Sequence, residues 1–123
     1  SFAAGFLEAF VLARSENRPV ILVAYDAPPP LPLQPFRPIS TRFGVALLLT
    51  PKPLPGSIAR LHGLRLQSGA ADAMPAEALE RLRLSNPAAR SLPLLQRLAA
   101  GQTGMVALPY LPETRLELSV EPC

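Results

Sequence analysis

Two uninterrupted apolar runs mark the first half of the chain. Val20–Tyr25 contains no charged side chain, and Asp26 follows it directly. A second run, Val45–Leu49, lies within the segment Phe43–Thr50. Strands that are apolar on both faces are typical of the middle of a sheet that other elements cover. The pattern therefore predicts two buried strands, Val20–Tyr25 and Phe43–Thr50.

A helical period precedes the first of these strands. From Ser1 to about Glu16 the apolar side chains recur at helical spacing, and Ser1 can cap the helix. The repeating positions are Phe2, Phe6, Ala9, Phe10 and Ala13. Few charges appear before Arg14, which predicts burial on most sides of the helix. Pro19 stops the helix, and the short turn into a strand predicts an α/β unit in which parallel strands alternate with helices.

A proline-rich segment separates the two strands. Asp26–Arg42 contains six prolines, and loops of this length are usually functional or cover another element. The hexapeptide PLQPFR at Pro32–Arg37 fits the pattern PxxPx(K/R), which SH3-type grooves bind in the polyproline II conformation. The alternative is a rigid loop that lies across a sheet edge. A protein-interaction module built on this loop is therefore one hypothesis for the function.

The second half predicts a third strand, two helices and a hairpin. The segments are Ser57–Gln67 for the strand, Pro75–Leu84 and Ser91–Ala100 for the helices, and Met105–Leu108 with Thr114–Glu121 for the hairpin. The apolar side of the first helix is expected to consist of Ala76, Leu79, Leu82 and Leu84. Gly63 is expected to form a bulge, because the apolar positions around it do not keep one period. Asn86 and Pro87 form a predicted turn and cap, and Gly101 ends the second helix. The last strand alternates, which predicts one apolar face (Leu116, Leu118, Val120) and one wet face.

Composition limits the class of protein. The 123 residues are enough for one domain or part of one, and 49% of them are hydrophobic while only 17% are charged. A chain so poor in charge often has one face covered by a partner or by the rest of a larger domain. No apolar stretch reaches the roughly 20 residues of a membrane span, and a cytoplasmic location is expected. Cys123 is the single cysteine, so it cannot form an internal disulfide.

The net charge of +3 arises mainly from arginines that are spread along the chain. Lys52 is the single lysine. A nucleic-acid-binding protein is expected to gather its basic residues on one face, with aromatic side chains between them. The scattered distribution therefore predicts no nucleic-acid interface, and the arginines are expected to be solvated residues at the ends of elements.

Few residues can carry chemistry. His62 is the single histidine, and one His with one Cys cannot supply a zinc site. The sequence contains no phosphate-binding glycine loop and no GxSxG elbow. Asp26 stands where a strand meets a loop, a common place for functional side chains, but a turn-forming role fits it equally. A small enzyme of unrelated chemistry would need Asp26 and His62 to meet, so no catalytic, metal-binding or cofactor-binding residue is assigned.

Two strings in the first 51 residues resemble the β-ketoacyl synthases, which have the thiolase-like fold. They are SFAAGFLEAFVLARSENRPVILVAYDAP and FRPISTRFGVALLLTP, and they are most similar to the short bacterial β-ketoacyl synthase-like proteins of aryl-polyene and related pigment pathways. In this resemblance Ser1–Arg18 corresponds to the nucleophile helix and Val20–Asp26 to the strand after it. Phe43–Thr50 corresponds to the strand that closes the N-terminal half of the family's fold.

The resemblance implies an α/β fold class, as part of a thiolase-like domain with α/β/α layers, a mixed sheet and a C-terminal hairpin. Residues 1–51 would form the ketosynthase-like core, and residues 52–123 would form a family-specific part of the same domain. The family's nucleophilic cysteine would fall just before Ser1. Its two catalytic histidines have no counterpart here, because His62 lies in neither histidine motif. No family catalytic residue therefore carries over to this chain.

The resemblance also implies partners and a role. The parent would be an acyltransferase that performs Claisen condensation in fatty-acid, polyketide or aryl-polyene biosynthesis. This chain would not catalyse that step, and it would resemble the chain-length factors that pair with active ketosynthases and shape the product tunnel. Its expected partners are an acyl carrier protein and an active ketosynthase subunit, in a homodimer or a heterodimer. No cofactor is expected.

Overall fold

Helix α1 (Phe2–Ser15) begins at a polar cap, as the sequence predicts. In the computed structural model, which describes residues 1–33, 35, 39 and 41–123, the Ser1 hydroxyl accepts a hydrogen bond from the N–H of Ala4 at 3.2 Å. The buried residues of α1 are Phe2, Ala3, Phe6, Ala9 and Ala13. The prediction of burial on most sides is confirmed, because the exposed residues of α1 lie on one stripe that includes Val11 and Arg14, and the others are buried or half-buried.

Strands β1 (Val20–Asp26) and β2 (Phe43–Leu49) form a two-stranded antiparallel sheet. Their register runs from Val20 opposite Leu49 to Asp26 opposite Phe43. The prediction of parallel strands is wrong for this pair. Parallel strands need a crossover, usually a helix, whereas an irregular loop joins β1 to β2 across residues 27–42 as far as the structure describes it.

The burial of this sheet alternates along both strands. Leu22 and Ala24 of β1, with Val45 and Leu47 of β2, pack against the main hydrophobic core on one face. The alternate residues on the other face are exposed. Within the described residues, the predicted burial of both faces is therefore wrong, because α1 covers only one of them.

The second sheet has three antiparallel strands in the order β3–β5–β4. Its members are β3 (Ala59–Ser68), β4 (Gly104–Leu111) and β5 (Thr114–Pro122). The predicted hairpin is confirmed as β4 and β5, and the apolar positions of β5 (Leu116, Leu118, Val120) are buried. The predicted bulge is also confirmed, since the register of β3 with β5 shifts between His62 and Arg65 and Gly63 has a φ of +67°.

Helices α2 (Glu77–Ser85) and α3 (Leu92–Ala100) flank a 3₁₀ turn at Pro87–Ser91. The predicted cap at Asn86 is confirmed, because its side chain accepts from the N–H groups of Ala88 and Ala89. Gly101 ends α3 in the left-handed conformation, also as predicted. The predicted apolar side of α2 is wrong in part, since Leu79 and Leu84 are exposed while Arg83 is buried.

One hydrophobic core joins both halves of the chain. Phe2 and Phe6 of α1 pack with Leu94 of α3 and with the buried residues of β4 and β5. Residues 1–51 and the residues that follow them therefore share a core. In the proline-rich loop, Pro32 and Pro35 are exposed, whereas Gln34, Phe36 and Arg37 of the SH3-type motif lie outside the described residues.

Candidate functional site: an apolar sheet face and a cleft between strands

The outer side of the β1–β2 sheet is an apolar surface, here called the outer apolar face. It consists of Ile21, Val23 and Tyr25 of β1 with Ala46 and Leu48 of β2. The exposed fractions are 69% for Ile21, 66% for Val23, 61% for Tyr25 and 59% for Leu48. These residues lie opposite one another in the register, so they form a continuous patch without a charged side chain. A contiguous patch of this kind usually marks an interaction site.

Tyr25 reaches across its neighbouring strand within this face. It lies opposite Gly44, where an added Cβ would be only 3.1 Å from Cδ2 of the tyrosine ring. The glycine therefore allows the ring to lie flat over β2, and the ring widens the outer apolar face at its Asp26 end.

A cleft of about 760 Å³ lies between β2 and β3, and we call it the strand cleft. Its walls are Ala46–Leu49 of β2 and Ala59–His62 of β3, which the loop of residues 50–58 connects. Phe10 and Ala13 of α1, with Leu98 of α3, line it on the side of the core. Arg14, Arg60 and Glu121 lie at its exposed rim. A cleft of this volume, with an apolar inner side and a polar rim, is typical of a binding pocket.

His62 and Asp26 do not meet. Asp26 lies opposite Phe43 at one end of β2, whereas the residues of β2 that line the strand cleft with His62 are Ala46–Leu49, about 10 to 20 Å from Phe43 along the strand. The Asp26 carboxylate accepts a hydrogen bond from the N–H of Ala88 at 2.8 Å. The geometry therefore favours the turn-forming role of Asp26 over a catalytic pair with His62.

The neighbours of His62 are residues of β5. Its Nε2 lies 3.1 Å from Oε1 of Glu121, but this nitrogen is buried and the N–H direction does not meet the hydrogen-bond geometry. The contact is an ion pair only when the imidazole is protonated. Ser119 lies directly opposite His62 in the register, yet no hydrogen bond joins their side chains. Both His62 and Glu121 are about half exposed, so the site lacks the dry surroundings that activate a nucleophile.

Cys123 is exposed at the rim of the same cleft. Its N–H donates to the carbonyl oxygen of Ile58 at 3.1 Å, which places it four residues from His62 along the strand. That separation is about 13 Å, beyond the reach of a thiol–imidazole hydrogen bond. Among the described residues, no group of three His, Cys, Asp or Glu side chains could hold a metal ion.

Two carboxylates that sequence reasoning did not single out carry the clearest pKa shifts. Glu117 is 3% exposed on the face of β5 that was predicted to be wet, and it lies between Arg65 and Arg115. The hydrogen bond from Arg65, supported by Arg115, lowers the pKa of Glu117 from its ordinary value. On α2, the hydrogen bonds from Arg83 and from the N–H of Met74 lower the pKa of Glu80 to about 2.

These two ion pairs differ in what the sequence could reveal. The spacing of Glu80 and Arg83 is a helical i, i+3 signal, so that pair was visible in the sequence. Arg65 and Glu117 are 52 residues apart, and the pairing of β3 with β5 brings them together. Glu80 with Arg83, and Glu117 with its two arginines, each hold the main-chain segments next to them in place. We therefore assign both groups a structural role.

No helix in the described part of the chain is long and apolar enough to cross a membrane. Comparisons with protein-family models, with curated proteins and with solved structures give no match for this chain. The fold and its surfaces therefore define a mixed α/β unit with an uncovered apolar sheet face and a strand cleft beside it.

Proposed function

We propose that this chain belongs to a β-ketoacyl synthase-like protein of fatty-acid, polyketide or aryl-polyene biosynthesis, and that it acts there as a non-catalytic component similar to a chain-length factor. The outer apolar face is the observation that carries the proposal. A sheet surface without charges, with large aliphatic side chains and one tyrosine, is suited to pack against a partner. The partner would be an active ketosynthase subunit.

The packing of α1 supports the thiolase-like part of the proposal. A layered α/β/α domain covers both faces of its sheet with helices. Here α1 covers the inner face of β1 and β2, and the opposite face has the same aliphatic character without a cover. Residues 1–51 also contain a helix, a strand, a loop and a second strand in the order that the resemblance implies for this segment.

The polar groups support a non-catalytic role. Condensation in the family uses a nucleophilic thiol with two histidines close to it. Among the described residues, Cys123 is about 13 Å from His62 along the strands, and Asp26 is engaged with Ala88. The described residues thus support binding through an apolar surface better than they support catalysis.

The test combines an activity measurement with a binding measurement. The purified chain should show no decarboxylation of malonyl thioesters and no acyl transfer. It should bind a purified bacterial ketosynthase and change the chain lengths of its products, as measured by mass spectrometry in the presence of acyl carrier protein. Clear turnover by the chain alone would overturn the non-catalytic role.

A pair of variants tests the surface. Val23→Glu places a charge in the outer apolar face, and it should weaken binding to the ketosynthase at least about tenfold, because a buried unpaired charge is strongly unfavourable. Leu84→Glu is the matched control, since Leu84 is a similarly exposed aliphatic residue on α2. Equal effects of the two variants would show that the outer apolar face is not the contact surface.

A further inference from the structure

The strand cleft follows the edges of two strands. A groove along one face of a strand is lined by alternate residues, because successive side chains point to opposite faces. The cleft is instead lined by consecutive residues, Ala46–Leu49 of β2 and Ala59–His62 of β3. The connecting loop of residues 50–58 and Glu121 of β5 also line it, whereas β1 and β4 contribute no residue. The edges of β2 and β3 that have no strand partner therefore face this space.

Both of these edges offer main-chain hydrogen-bonding groups. β2 pairs only with β1, and β3 lies at the end of the order β3–β5–β4, so each has one edge without a strand partner among the described residues. Along such an edge, alternate residues direct their N–H and C=O groups outward. An acyl chain or another apolar small molecule would leave two rows of these groups without partners. An extended peptide would satisfy both rows at once.

The side chains around the cleft define which peptide fits. Its inner side is apolar, with Phe10, Ala13 and Leu98 below the space between the strands. At the rim, neither Arg14 nor Arg60 forms an ion pair with a described residue, and the carboxylate of Glu121 contacts His62 instead. The rim carries two arginines against the one carboxylate of Glu121, and this excess of positive charge is complementary to an acidic segment.

We propose that the strand cleft binds an extended segment of a partner protein, which adds a strand between β2 and β3. The segment carries apolar side chains at alternate positions, directed toward Phe10 and Leu98, and acidic residues at its ends, near Arg14 and Arg60. The cleft spans four residues of each strand, so about five residues of the partner would fill it. The proline-rich loop of a second copy is a poor source of this segment, because it lacks many of the N–H groups that a ladder needs.

The strand cleft would accept this segment whether or not the outer apolar face packs against a ketosynthase. A fluorescein-labelled peptide, Asp-Val-Thr-Val-Thr-Val-Asp, serves as the probe, and fluorescence anisotropy measures its binding to the full chain. Binding should slow hydrogen exchange of the amides in Ala46–Leu49 and Ala59–His62. Methylation of alternate peptide nitrogens removes hydrogen bonds to one edge, and it should weaken binding at least about tenfold.

Variants that reverse the charge of the cleft rim provide a second test of the proposal. Arg14→Glu combined with Arg60→Glu should weaken binding of the acidic peptide about tenfold and improve binding of a peptide with Lys in place of Asp. Arg81→Glu on α2, where the arginine is exposed and remote from the cleft, should leave the affinity unchanged. Circular dichroism checks that each variant is folded.

Two results would overturn the proposal. One is the absence of peptide binding up to about 1 mM, the limit of weak association. The other is equal affinity for the methylated and unmethylated peptides, which would exclude strand addition. Displacement of the peptide by dodecanoate in that second case would identify the cleft as a site for apolar chains.

Discussion

The side-chain Nδ2 of Asn86 donates a hydrogen bond to the main-chain carbonyl oxygen of Asp26 at 3.1 Å. The same nitrogen donates to the carbonyl oxygen of Thr41 at 2.8 Å, and Oδ1 accepts from the N–H groups of Ala88 and Ala89. Asn86 is fully buried. One amide therefore joins the end of β1, the segment before β2 and the 3₁₀ turn.

Replacing Asn86 by alanine should destabilise the chain by about 2–4 kcal/mol, because it removes the partners of several buried main-chain groups and a cap. Urea unfolding, followed by circular dichroism at neutral pH, measures the change. Gln96→Ala is the matched control, since Gln96 is exposed on α3 and its loss should change the free energy of unfolding by less than about 0.5 kcal/mol. Similar values for the two variants would contradict the role given to Asn86.

Replacing Gly63 or Gly5 by alanine should change the free energy of unfolding in opposite directions. Gly63→Ala should cost about 1–2 kcal/mol, because the φ of +67° at the bulge is unfavourable for a residue with a Cβ. Gly5→Ala should stabilise by about 0.5–1 kcal/mol, since it lies within α1 and the new Cβ would be in ordinary contact with Leu22 at 3.6 Å. Thermal unfolding of both variants measures the difference. A stabilising Gly63→Ala would show that the bulge does not form.

Glu80 should make the free energy of unfolding depend on pH under acidic conditions. Its carboxylate accepts two hydrogen bonds from Arg83, at 2.6 and 2.7 Å, and one from the N–H of Met74 at 2.8 Å. These bonds lower its pKa from 4.5 to about 2. Between these values the unfolded chain binds more protons than the folded chain, so stability rises with pH. The contribution is complete above pH 4.5 and is lost as the pH falls toward 2.

Glu80→Gln should therefore reduce the slope of the free energy of unfolding against pH within this window, and Glu117, whose pKa is also lowered, should maintain the rest of the slope. Urea titrations at a series of acidic pH values measure the slope. Glu77→Gln is the control, because the Glu77–Arg81 pair is exposed and should contribute little to the slope. If the slope persists undiminished in Glu80→Gln, carboxylates other than Glu80 cause it.

Much of the local structure could be predicted because the signals are short in range. The cap at Ser1, the bulge at Gly63, the cap at Asn86 and the end of α3 at Gly101 each depend on one residue and its immediate backbone. The apolar side of β5 was equally clear, because Leu116, Leu118 and Val120 are buried, but the predicted wet side is wrong at Glu117, which is buried too. The structure confirms the two caps, the bulge and the end of α3, and predicting them required no knowledge of the tertiary structure.

The candidate sites were predicted only in part. Ile21, Val23 and Leu48 fall within predicted strands, but their exposure was not expected, because an aliphatic strand face has the same sequence whether or not it is covered. The strand cleft depends on the positions of two strand edges, and side-chain periodicity carries no information about them. The pairing of His62 with Glu121 joins residues far apart in sequence.

The sequence by itself determined which segments form helices and strands, with ends correct to within about three residues, because caps, glycines and alternating side chains act over a few residues. Only the tertiary structure decided that β1 and β2 are antiparallel, that α1 covers one face of them, and that Glu117 is buried between two arginines. These features arise from packing between distant segments, where long-range contacts decide which apolar surface is covered and which charge has a partner.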